Sequence, residues 1–154
     1  MCEYCGCQDI PAIATLTAEH EAIREVARVG QQAATASDHP AAVAAATRLK
    51  ELLDPHSRIE ELGLFPAMAG EFGEHTERLT AEHRALEAEL TELIDSAAPV
   101  AGWEQRLTAA LSELFEHILR EQDGLFPATL SVMTPEQWDS LADVRAAIVD
   151  PPAA

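Results

Sequence analysis

The sequence predicts an all-α protein: an up-down-up-down four-helix bundle with a short N-terminal arm and an extra C-terminal helix. Three observations predict it. Apolar residues recur at three- and four-residue steps through four long stretches, the period of one helix face. No stretch alternates apolar and polar residues as a half-buried strand would. The chain also repeats itself. Leu16-Thr17-Ala18-Glu19-His20 recurs identically as Leu79-Thr80-Ala81-Glu82-His83. His56-x-x-x-Glu60 followed by Gly63-Leu64-Phe65-Pro66-Ala67 recurs as His117-x-x-x-Glu121 followed by Gly124-Leu125-Phe126-Pro127-Ala128. Two copies of a helical hairpin make such a bundle.

Residues 1–10 have no helical period and read as an arm. The first helix is expected to begin near Pro11, with Ile13, Leu16, His20, Ile23, Ala27 and Gly30 as its stripe, and to end by about Ala36. Asp38 or His39 can cap the second, with Pro40 in its first turn. Its stripe is Ala42, Ala45, Leu49, Leu52, His56 and Glu60. Pro55 falls inside it and removes one backbone bond. Gly63 and Pro66 read as its end. The third helix starts near Gly73 and carries Leu79, His83, Leu86, Leu90 and Leu93, and residues 95–100 form a turn. The fourth carries Trp103, Leu107, Ala110 and Leu114, and His117 and Glu121 continue that stripe. A fifth follows, with Thr134 as cap, Pro135 at the first helical position and Gln137 placed to close a capping box. Trp138, Leu141, Val144 and Ile148 form its apolar face. The expected organisation is an arm over 1–10, a bundle over 11–130, and a C-terminal helix and tail over 131–154 packing on it.

The chain has 154 residues, enough for one domain with a sizeable core. Its formal charge of −17, from 27 acidic and 10 basic residues, disfavours nucleic acid and anionic lipid as partners. No apolar run approaches the ~18 residues of a membrane span. The first residues lack the charged and apolar regions of a secretory signal, so a cytoplasmic location is the expectation. Nothing in the sequence fixes the oligomeric state.

The informative anomaly is polar. His20, His56, Glu60, His83, His117 and Glu121 all occupy core-stripe positions where the pattern calls for leucine. In an up-down-up-down bundle the four segments meet at one level near one end. A lone His-x-x-x-Glu is usually an exposed pair or a satisfied core histidine. Here the pair occurs twice on core stripes, each preceded at matched distance by a core histidine. Buried carboxylates are normally paired or bound to metal, and this donor set suits a transition metal. Two carboxylates, one from each half, can bridge two metals, and the histidines can cap them. Octahedral iron fits: with an oxo or hydroxo bridge, one position on each of two irons stays open to O2, hydrogen peroxide or NO.

The order His20, His56-x-x-x-Glu60, His83, His117-x-x-x-Glu121 resembles the hemerythrin-like, or HHE cation-binding, family over roughly residues 12–128. The resemblance implies a four-helix bundle with a non-haem di-iron centre ligated by those six residues. Two positions depart from the oxygen-carrying members of that family. Leu79 stands where they have a further histidine, and Glu121, with Gln122 after it, stands in place of a His-x-x-x-x-Asp aspartate. With one histidine fewer, peroxide, NO or redox chemistry is favoured over reversible O2 carriage. The functional expectation is di-iron handling of O2 or its reduction products, catalase-like peroxide decomposition among them. The alternatives are an O2, NO or redox sensor, an iron-binding protein without turnover, or a metal-free structural bundle. The Glu-x-x-His order of ferritin-like bundles is absent from these segments.

Other polar residues read more plainly. His75 lies too far from His83 to share a centre and reads as solvent-facing, and His39 reads as a loop residue. Glu19, Glu82 and Glu116 point off the stripe and read as surface charges, with hydrogen bonding to a neighbouring helix's histidine as the less favoured role. Cys2, Cys5 and Cys7 offer three thiols without a fourth ligand, so a closed zinc site is not established. Two readings stand: a frayed terminus, or a redox arm with Tyr4 that folds back over the site. A Cys2/Cys5/Cys7→Ser triple variant with unchanged visible spectrum and unchanged peroxide turnover would make the arm a bystander.

Overall fold

The computed structural model describes residues 6–96 and 101–151. Cys7–Asp9 forms a single 3-10 turn in what the sequence suggests is an aperiodic arm. Helix α1 spans Pro11–Thr35, with proline at its first position, where the missing N–H costs nothing. Ser37 closes its C-terminus at φ 54, and the Ser37 and Asp38 N–H groups bond back to the Ala34 and Ala33 carbonyls. Asp38 then caps α2 (His39–Ile59) by accepting from the Ala41 N–H at 3.1 Å. His39 is the first residue of α2, not a loop residue, and its ring packs edge-on against Trp103.

The largest departure from expectation is where the second helix ends. Gly63 and Pro66 do not terminate the second. α2 runs through Pro55 into a π-helical turn, Glu60–Leu64, and on into α3, Phe65–Asp95. The Phe65 N–H reaches back five residues to the Glu60 carbonyl. The widened turn accommodates Pro66, whose ring would collide with the carbonyl four residues back in a regular helix. The chain reverses at Phe72 (φ −122, ψ 31). Cross-helix bonds from Lys50 to Thr91 and between His83 and Glu61 show the two arms running antiparallel. The second half repeats the device: α4 (Trp103–Leu119), a π turn (Arg120–Leu125), then α5 (Phe126–Val132), with Phe126 N–H on the Glu121 carbonyl. The last helix, α6 (Pro135–Val149), has the capping box expected of Thr134 and Gln137. No strand occurs among the described residues, and no helix is long and apolar enough to cross a membrane.

The core falls into two apolar clusters, a division that positions everything else. One runs from Ile23, Ala27, Leu49 and Leu90 to Trp103, Leu107 and Ile118. The other gathers Cys7, Ile13, Leu16, Ile59, Leu64, Phe65, Leu79, Leu125, Phe126 and Leu141. Because the π turns carry the helices past Glu60 and Glu121, the polar level lies between these clusters and not at an open end. Trp103 anchors the first cluster. It is fully buried, and its indole N–H donates to the Leu93 carbonyl at 3.0 Å. Trp103→Ala should cost about 3–5 kcal/mol, read as a lowered denaturant midpoint. A shift within error would mean that the tryptophan does not anchor that end.

Candidate metal centre

Each half of the bundle delivers one histidine from mid-helix and one His–Glu pair from the approach to a π turn. The steps of three and four residues point these groups inward with the leucines around them. The result is a closed polar cluster. Glu60 and Glu121 have no solvent exposure, and His20, His56, His83 and His117 are each under one-tenth exposed. The rings pair by half: His20 with His56 and His83 with His117, each pair 4.6 Å between centroids. All six groups singled out in the sequence are thus brought together.

Each carboxylate faces both ring pairs. Glu60 Oε1 lies 3.4 Å from His56 Nε2 and 3.9 Å from His20 Nε2, while its Oε2 lies 3.4 Å from His83 Nε2. Glu121 Oε2 lies 3.1 Å from His20 Nε2, and its Oε1 lies 3.0 Å from His117 Nε2 and 3.7 Å from His83 Nε2. Two subsets converge closely enough to hold an ion: His20, His56, Glu60 and Glu121, and His83, His117 and Glu121. The Nε2 atoms of His20, His56 and His83 and both oxygens of each glutamate are buried without a hydrogen-bond partner. Native interiors seldom tolerate so many unsatisfied polar atoms, and bound cations would satisfy them.

The electrostatics agree. Burial, and next the neighbouring Glu121 charge, push the Glu60 carboxyl well above its usual range. Burial also acts to raise Glu121, but the closer His117 and His20 rings outweigh it and hold that carboxyl low. Burial lowers His20 and His83, favouring the neutral imidazole that ligates metal. His117 goes the other way, because Glu121 and Glu82 more than offset the effect of burial.

Three histidines are held from behind. His56 Nδ1 meets Glu19 at 2.9 Å, His83 Nδ1 meets Glu61 at 2.9 Å, and His117 Nδ1 meets Glu82 at 2.8 Å. A proton on each Nδ1, donated to the carboxylate, leaves the Nε2 lone pair aimed into the cluster. Glu19 and Glu82 are therefore not mere surface charges; each reaches the next helix. Glu116 is exposed, as expected. Glu61 escaped the sequence reading. The available signal was the aligned repeat, where the residue after the core glutamate is Glu61 in one half and Gln122 in the other.

Phe126 stacks on His20 and Phe65 on His83, so Leu-Phe-Pro walls the cluster off at that end. Cys7 belongs to the same apolar cluster as those phenylalanines and to neither ion-holding subset, and its 1% exposure does not suit a frayed terminus. Cys2, Tyr4 and Cys5 lie outside the described residues. His75 is only half-exposed, with its Nε2 buried near Gly124.

A family model described as the hemerythrin HHE cation binding domain matches residues 12–129. The chain belongs to the hemerythrin family. No curated protein and no solved structure matches it. In this hemerythrin domain the family match and the buried histidine–glutamate cluster both point to metal binding. Glu82→Ala should weaken metal binding by roughly 10- to 100-fold with helicity unchanged. Competition with a chelator measures it, and an unaltered affinity would show that the His117–Glu82 contact is incidental.

Proposed function

We propose that the cluster holds two irons and that the protein handles O2 or its reduction products, with hydrogen peroxide decomposition as the reaction. The observation that carries this reading is the two-sided disposition of Glu60 and Glu121. Each turns one oxygen to the His20/His56 side and one to the His83/His117 side. Two carboxylates so placed suit a pair of metals better than a single ion, and imidazole with carboxylate suits iron. Such a pair would supply two-electron redox chemistry and a binding position for a small oxidant.

The chain's own residues do the rest. His20, His56, His83 and His117 orient donor atoms toward the pair, and Glu19, Glu61 and Glu82 fix three of those rings. Phe65 and Phe126 exclude water from one end. Approach is lateral. A cavity of about 350 Å³ between α3 and α4, lined by Ile23, Leu53, Leu86, Leu114 and Ile118, reaches all four histidines. Charged side chains, Arg106 and Arg120 with Glu82, Glu89 and Glu113, also line it, and its apolar part suits a small uncharged molecule such as O2, NO or hydrogen peroxide. Buried Leu79, where oxygen carriers have a histidine, leaves the second side with fewer ligands and favours turnover over simple carriage.

The deciding measurement is the iron content and visible spectrum of aerobically purified protein, followed by oxygen evolution from added peroxide. Two irons per chain with oxo-to-iron charge-transfer bands are expected. Glu60→Ala or Glu121→Ala should lower iron well below two per chain while helicity persists, since apolar residues flank the site in every helix. Stoichiometric zinc with no iron uptake on reconstitution would sink the reading. Iron without peroxide turnover would move the function to sensing or storage.

A further inference from the structure

We propose that helix α6 braces one of the two metal positions, the one formed by His20, His56, Glu60 and Glu121, and that Arg145 is the positioning residue through which it acts. The inference rests on the two-metal reading above. It concerns a helix outside residues 12–129, the part of the chain the family accounts for.

The two halves hold their backing glutamates differently. In the second, Glu82 is gripped from within the bundle, by Arg78 on its own helix and by Arg120 in the π turn after α4. In the first, the arginine comes from α6. Arg145 Nη1 donates to Glu19 Oε1 at 2.5 Å and Nη2 donates to Oε2 at 3.2 Å. Glu19 Oε2 is also the atom that accepts from His56 Nδ1.

A second contact reinforces the first. Gly63 lies in the π turn that Glu60 opens, and Leu141 of α6 packs directly onto it. A Cβ at Gly63 would sit 2.6 Å from Leu141 Cδ1, so only glycine allows this approach with Leu141 in place. The counterpart Gly124 is met by α3 and not by α6: a Cβ there would lie 3.7 Å from His75 Nε2, an ordinary contact. Helix α6 thus breaks the internal two-fold: among the described residues it packs chiefly on the first π turn, α2 and α1.

The supported half is also the one with less behind it. His83 and His117 each have a carboxylate on Nδ1. On the other side only His56 does. His20 Nδ1 is buried without a hydrogen-bond partner, and Gln122 takes the place that Glu61 has in the first repeat, its own Nε2 unpartnered. Release of Glu19 by Arg145 therefore loosens the single backed histidine of that position and leaves the other position untouched.

The test is anaerobic titration of chelator-stripped protein with ferrous iron, followed by oxidation and EPR. Wild type should take up two irons and give a coupled, EPR-silent ferric pair. Arg145→Ala should bind the first iron as wild type does and the second about 10- to 100-fold more weakly, with an uncoupled mononuclear ferric signal. Arg145→Lys, which keeps a cation on Glu19, should recover most of the coupled centre. Glu19→Gln should weaken the same position independently, and Arg145→Ala added to it should cost little more, because both act through one contact. Equal weakening of both positions, additive losses, or two wild-type affinities in Arg145→Ala would overturn the inference alone. A wild-type chain that takes up no iron would overturn the two-metal reading with it.

Discussion

Glu60 and Glu121 are completely buried beside one another. Two carboxylates that close in an apolar interior repel, and each forfeits hydration that no single neighbour replaces. Four imidazoles relieve part of that cost, holding Glu121 low while Glu60 remains pushed up. The remainder calls for a cation, and the rest of the architecture can be understood as what is needed to keep this arrangement from collapsing. Apolar clusters on both sides fix its depth. Acids on the outer faces of the helices fix its rings.

Much of this was legible in the sequence, and the reason is geometric. A helix face repeats every three to four residues, so a polar residue on a leucine stripe announces itself, and the doubling of the pattern removed the alternative of chance. What was less legible had three causes. Gly63, Pro66, Gly124 and Pro127 are helix breakers by propensity, yet a π turn absorbs them. Local rules do not encode that outcome, so the second helix reads as ending early. Glu19 and Glu82 lie one residue off the stripe, which marks a surface position on an isolated helix. In a bundle the same position borders the neighbouring helix and can reach its histidine. Arg145 lies on α6, outside both repeats, and no spacing relates it to Glu19.

The internal repeat thus describes the centre's donors better than their surroundings. The two halves match in histidines, core glutamates and the phenylalanine that stacks on a ring. They differ at the residue after each core glutamate, Glu61 against Gln122, and in what meets the glycine of the π turn, Leu141 of α6 against His75 of α3. A nearly symmetric ligand set therefore sits in an asymmetric protein.

The π turns carry a further consequence, for how this chain tolerates change in length. Each holds one residue more than a regular helix would between its core glutamate and the phenylalanine that follows. Deleting a single residue from either would yield a smoother helix by local rules. It would also swing everything beyond by about 100°, turning Phe65 away from His83 or Phe126 away from His20. The segment where a shortened loop would ordinarily be harmless is here a ratchet whose tooth cannot be removed without opening the wall behind the histidines.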